Sequence, residues 1–225
     1  MPAPVASDAP PARPDFGPSL PALLRRRFGI RERVTRIVAF VVAAAIAIAV
    51  VVALLSRPEH IVYRAGPTFN IQYSSDVLER VAPRGSELVR LEAHKGKLSA
   101  SITVSRLTLP AYGGNVTSGL LPVHVDRYER ELSRTLVDFQ LRDEGSARVN
   151  DAQGYQVGFR FGPTGRFTWA RDMMLVPGDE DVREGVMLRL RQTKEGTITD
   201  ADREVLDDVH QAFRSFNFGT DRGKW

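Results

Sequence analysis

The sequence predicts an α+β protein: an antiparallel β-sheet covered by amphipathic helices and preceded by one transmembrane helix. Three observations carry that expectation. Residues 37–55 form an unbroken apolar run, several stretches between 69 and 192 alternate apolar and polar residues, and two stretches near 125–139 and 205–216 place apolar residues at helical spacing. No cysteine occurs in the 225 residues. Disulfides, thiolate metal ligands and cysteine nucleophiles are therefore excluded, and packing alone must hold the domain. A domain of about 150 residues suffices for that, since it buries roughly 70% of its unfolded surface.

Residues 1–24 (MPAPVASDAPPARPDFGPSLPALL) are rich in proline and small residues, a composition that cannot bury a core. With the arginines that follow they form an expected disordered basic tail over 1–36. The run IVAFVVAAAIAIAVVVALL has no charge, amide or proline. At 1.5 Å per residue it makes a helix of about 28 Å, close to the hydrocarbon thickness of a bilayer, so 37–56 is read as a single span. Arg25, Arg26, Arg27, Arg31, Arg33 and Arg36 precede it and Arg57 follows. The positive-inside bias then keeps the N-terminus in the cytoplasm and the domain outside the cell membrane. A cleaved signal peptide is the competing reading, but its apolar core is shorter, and no small-x-small site follows Leu55.

The net charge of +4 belongs to the N-terminal part, where seven arginines face Asp8, Asp15 and Glu32; residues 57–225 carry 24 basic and 24 acidic residues. A neutral domain has no general excess of cations to displace phosphate counterions, so no nucleic-acid partner is expected. The basic tail is suited to a bilayer with anionic headgroups.

After a linker at 57–66 comes the domain, 67–219, and a short tail, 220–225. Phe69, Ile71 and Tyr73 share one face of a first strand, and Val89, Leu91 and Ala93 alternate with Leu88, Arg90 and Glu92 in the next. In KLSASITVSRLTL, Leu98, Ala100, Ile102 and Val104 lie on one side and Leu107 and Leu109 on the other, which predicts a bulge or strand end near Ser105. A Gly/Pro-rich loop at 109–122 leads to a helix with Val125, Tyr128, Leu132, Leu136 and Phe139 on its apolar stripe. Four strands follow, at 141–149, 154–161, 166–176 and 185–192. The turns at 150–154 and 162–165 and the acidic loop at 177–181 are short, so these strands form an antiparallel meander. Thr199 caps a last helix, Asp200 and Asp202 suit its positive end, and Val205, Leu206, Val209, Phe213 and Phe216 form its buried stripe.

The opening FNIQYSSDVLERV, the hairpin QGYQVGFRF and the closing VLDDVHQAFRSFNFG, in this order of strands and helices, resemble the PsbP-like α-β-α sandwich superfamily. That superfamily is named for a photosystem II subunit and is also seen in bacterial envelope proteins, and this chain resembles a bacterial, membrane-anchored member. The resemblance covers about residues 67–219 and implies the fold. Its members bind different partners, so it implies no functional residue.

Chemistry-bearing motifs are sparse. His60, His94, His124 and His210 show neither an i, i+4 pair nor HExxH, and no GxSxG mounts a serine nucleophile. Neither a catalytic residue, a metal site nor a cofactor is expected. Tyr112, Gly113, Gly114 and Asn115 provide the flexible backbone and polar edge of a candidate ligand-binding loop, though without the GK[ST] of a phosphate cradle. Asp179, Glu180, Asp181 and Glu184 lack the spacing of a calcium loop. Asn115-Val116-Thr117 matches a glycosylation sequon. Trp169 shares a strand face with Phe167, Arg171 and Met173, which predicts core packing, with a stacked cation as the alternative. The expected function is a single-pass, membrane-anchored, non-catalytic binding or assembly module whose partner is an envelope protein or ligand. The alternatives are an envelope-acting hydrolase and a subunit assembled through its transmembrane helix, where the alanines at 43–49 allow close packing.

Overall fold

A computed structural model describes residues 32–55, 58–178 and 182–220. Residues 1–31 of the expected disordered tail, with Arg25, Arg26, Arg27 and Arg31, as well as Arg57, the acidic residues Asp179, Glu180 and Asp181, and the end of the chain lie outside the described residues, as does the side chain of Arg33; residues 32–36, expected in that tail, are helical. The chain divides into two units, residues 1–56 and 57–225.

The first unit holds helix α1, Glu32–Leu55. No glycine or proline interrupts it, and it begins a turn before the apolar run, at Glu32. Its described apolar side chains are exposed on every side, with Phe40 at 76% and Ile48 at 65%. Among the described residues no helix is long and apolar enough to cross a membrane. The described side chains of α1 end at Val51, short of the end of the apolar run at Leu55.

In the second unit the strands are β1 Glu59–Tyr63, β2 Phe69–Tyr73, β3 Glu79–Val81, β4 Glu87–Lys95, β5 Leu98–Thr108, β6 Gln140–Val149, β7 Ala152–Phe161, β8 Thr168–Val176, β9 Glu184–Lys194 and β10 Asn217–Phe218. Helices α2, Leu121–Thr135, and α3, Asp200–Arg214, complete it. Seven strands form one sheet in the order β3-β4-β5-β9-β8-β7-β6, and β1-β2-β10 form a second. Neighbouring strands run antiparallel throughout both sheets.

Three features depart from the sequence reading. Within the stretch expected as a linker lies β1, which pairs with β2 from Glu59↔Tyr73 to Tyr63↔Phe69. The first predicted strand therefore belongs to the small sheet. The large sheet is not one meander but two, β3-β4-β5 and β6-β7-β8-β9, joined by β5 against β9, because α2 carries the chain across from β5 to the far edge. No bulge interrupts β5 along β9, from Leu98↔Lys194 to Thr108↔Glu184. Both of its faces are covered, so Val104 enters one core and Leu107 and Leu109 enter the other. The irregularity sits in β4 opposite, where Leu88 is the extra residue between Glu87↔Ser105 and Val89↔Val104.

The helices cover opposite faces. Val205, Val209 and Phe213 of α3 pack with Ile71, Leu91 and Ile102. Leu121 and Val125 of α2 pack with Leu107, Val157 and Met174. The Thr199 cap forms as expected: its hydroxyl accepts from the Asp202 N–H at 3.3 Å, and Asp202 accepts from the Thr199 N–H at 2.8 Å. The α2 stripe runs past the helix end at Thr135, and Phe139 from the following turn lies 5.3 Å from Phe159.

Burial first, then the neighbouring Glu144 carboxylate of β6, push the pKa of Glu129 in α2 from 4.5 to about 7. Asp126 adds to the push. Between these values the folded protein keeps a proton that the unfolded chain has released. The stability contributed is thus complete below pH 4.5 and is lost as pH rises through 7. Calorimetry should find Glu129→Gln raising Tm at pH 8 and leaving it nearly unchanged at pH 4; an equal effect at both would show that the fold does not hold a proton on Glu129.

Candidate functional site

The register of the large sheet brings together residues far apart in sequence. Gln140 pairs with Arg160, Arg160 with Trp169, and Trp169 with Gln192, forming one row across β6, β7, β8 and β9. One pleat along, Asp143, Gly158, Arg171 and Leu190 form the next row. Because α3 packs on β2, β4 and β5, the β6–β8 half of this face is left uncovered. Between α3 and these strands lies a cleft of about 300 Å³, lined by Arg142, Trp169, Arg171, Gln192, His210 and Arg214 among others. A second hollow of about 400 Å³ shares Arg171, Phe213 and Arg214 and reaches Arg148, Asn150 and Gln156. From Arg142 to Arg148 the strand rises about 20 Å.

Trp169 is therefore not a core residue. It is 50% exposed, whereas Met173, two pleats closer to α3, is buried at 7%. The stacked-cation alternative is the one the structure contains, with other partners than Arg171. Arg142 and Arg160 place their guanidinium carbons 5.5 and 5.9 Å from the Trp169 ring centroid. Gln140 Oε1 accepts from both, at 3.3 Å from Arg142 and 2.7 Å from Arg160, which holds the two cations side by side. Among the described residues neither of them, nor Arg214, has a carboxylate partner.

The other polar groups are fixed by close neighbours. Asp143 accepts from Gln156 Nε2 at 3.2 Å and lies 3.8 Å from Arg171. Its Oδ1 occupies the space above Gly158, 1.8 Å from where a Cβ would stand, so a larger residue there would displace the carboxylate. Gln192 Nε2 donates to His210 Nε2 at 2.7 Å. Burial first, then the charges of Arg214 and Arg171, lower the His210 pKa despite Asp207. The imidazole is thus neutral at pH 7, which matches its role as acceptor. Its hydrogen-bond partner is an amide, not a serine, threonine or carboxylate. The arrangement presents cations and an open aromatic face, and among the described residues of the cleft no nucleophile is hydrogen-bonded to a base.

The loop singled out by sequence lies away from this cleft. Tyr112, 41% exposed, lays its ring over Gly114 and Gly119, whose Cβ positions would fall 2.9 and 2.4 Å from it. Asn115 Oδ1 accepts from the Ser118 N–H and from the Thr117 and Ser118 hydroxyls, capping the helical turn Val116–Leu120 that leads into α2. Gly113 has open space at its Cβ position. Arg36 is exposed on α1. Of the histidines only His210 joins the cleft. Among the described residues no three His, Cys, Asp or Glu side chains gather as a metal ion needs. Sequence reading placed Trp169 and Arg171 on one face but missed Arg142, Arg160 and Arg214; the alternation of Arg142 and Arg160 within their strands was the available signal.

No family model matches the sequence, and no curated protein matches it. Solved structures align over most of the domain. LpqN of Mycobacterium tuberculosis, described as involved in cell envelope biogenesis, shares 12% identity over 72% of this chain and 92% of its own, at a TM-score of 0.44. The solution structure of cyanobacterial PsbP from Synechocystis shares 10% over 73% of this chain and 94% of its own, at 0.45. A Pseudomonas aeruginosa protein of unknown function shares 13% over 74% and 99%, at 0.39. At identities and TM-scores this low, neither family, binding nor activity follows from the alignments.

Proposed function

We propose that this chain is a non-catalytic binding module of the cell envelope, anchored by α1 across the membrane, which holds an anionic partner in the cleft between α3 and strands β6–β8. The observation that carries the binding reading is the set of arginines that, among the described residues, have no carboxylate partner and surround a half-exposed tryptophan. Cations held in place with no internal counterion favour an anionic ligand by charge complementarity. The anchor reading is supported by α1 itself. A helix apolar on all sides needs apolar surroundings, and Ile37, Phe40 and Ile48 are exposed rather than packed in a core. The arginines before it favour a cytoplasmic N-terminus and a domain outside. Tethering then concentrates a modest binder near its partner.

The absence of cysteine permits a clean topology test. Ala12→Cys and Thr164→Cys, made separately in the full chain, are treated with a membrane-impermeant maleimide on intact cells. Thr164→Cys should label at once and Ala12→Cys only after permeabilisation; the opposite pattern would overturn the orientation.

A further inference from the structure

Resting on that reading, we infer that the cleft takes an anionic glycan, a short oligosaccharide whose sugar rings carry carboxylate or phosphate groups. The cleft lies on a sheet face, above β7, β8 and β9, whose backbone N–H and C=O groups are used in ladders on both sides, and above β6, the sheet edge, whose free backbone groups point outward in the plane of the sheet and not into the cleft. A ligand there is read by side chains alone. An extended peptide would leave its own amides desolvated without partners, whereas a glycan carries no regular series of amides to satisfy. The side chains present match three features of an acidic sugar. Arg142, Arg160 and Arg214 meet its anionic groups. The open half of Trp169 offers a flat apolar surface for a ring face. Asp143 and Gln156, fixed in the floor at 3.2 Å from one another, accept from hydroxyls. Asp143 also weighs against a DNA strand, whose sugar-phosphate backbone presents acceptors and offers its carboxylate no hydroxyl to accept from. A lone lipid headgroup would fill only one of the two adjoining hollows, which border β6 from Arg142 to Arg148.

The test uses the full chain in phosphatidylcholine nanodiscs, which carry no anionic lipid, and titration calorimetry with four probes: tetragalacturonate, neutral maltotetraose, tetraglutamate and a thymidine tetranucleotide. Tetragalacturonate is expected to bind at least about tenfold more tightly than the other three, since removing one charged or stacked interaction costs a comparable factor. Trp169→Ala and Arg160→Ala should each weaken it about tenfold, and Trp169→Phe should restore most of the affinity. An unchanged thermal midpoint in each variant confirms the fold. Equal or tighter binding of tetraglutamate or the tetranucleotide, indifferent to Trp169→Ala, would overturn the glycan inference while leaving an anion-binding cleft intact. Failure of every anionic probe to bind would overturn both.

Discussion

Replacing Asp172 with alanine is expected to destabilise the domain by about 3 kcal/mol, near the lower end of the range for breaking a buried ion pair. The Asp172 side chain is fully buried in β8, under α2. Arg191 reaches it with both guanidinium nitrogens, one bonding Oδ1 and the other Oδ2 at 2.9 Å. Tyr128 of α2 donates its hydroxyl to Oδ2 at 2.5 Å, and Arg189 lies 3.8 Å away. Burial, then the charge and hydrogen bond of Asp172, push the Tyr128 phenol well above its ordinary value, so it remains a donor throughout the working range. Removing the carboxylate leaves two arginines and a hydroxyl around an uncompensated site, and unties α2 from the sheet. Because a quarter of the Arg191 side chain is exposed, water offsets part of the cost, which sets the value at the lower end. Urea unfolding should show the drop as a lower midpoint at unchanged slope. A triple change, Asp172→Leu with Arg191→Met and Tyr128→Phe, should cost far less than the single one, because the carboxylate and the arginine that grips it go together and the remaining Arg189, a third exposed, reaches water. A single-variant effect under about 1 kcal/mol would show that desolvation already cancels the pair.

Phe216→Ala is expected to cost about 3–5 kcal/mol, through reduced burial and the cavity left behind. Phe216 is 0% exposed and follows α3 directly. It stacks on Phe69 of β2 at 5.5 Å and meets the edge of Phe218 in β10 at 5.2 Å. Its carbonyl accepts from Asn150 Nδ2 at 2.7 Å, which joins the β6–β7 turn to the same point. One ring thus ties the small sheet to α3 and to the large sheet. Amide exchange in β2 and β10 should accelerate more than in β8, since the aromatic rings that Phe216 packs against belong to the small sheet. Uniform acceleration across all strands would show instead that the two sheets open only together.

Much of the architecture could be read from local pattern. The strands from 141 to 192 alternate because their two faces meet different surroundings, and the Thr199–Asp202 capping box is a four-residue signal that needs no tertiary context. Other features escaped for identifiable reasons. Residues 59–63 look like a linker because β1 is a short edge strand whose Ile61 enters the core and whose Tyr63 stacks on Phe69 only once β2 lies beside it. A bulge near Ser105 is the expectation for a strand covered on one face only, which could not otherwise change its apolar side. Coverage by α2 on one face and α3 on the other removes that need.

Element types, the apolar length and charged flank of α1, and the neutral balance of the domain follow from composition and period, since these depend on residues a few positions apart. The cleft does not. Trp169 reads as a core residue by its alternation, and only the placement of α3 over β2, β4 and β5 leaves it at the surface. Arg142, Arg160, Arg171 and Arg214 are separated in sequence by up to 72 positions. Strand register sets the first three side by side and the end of α3 brings the fourth, because pairing between distant segments is a property of the packed chain and has no local trace.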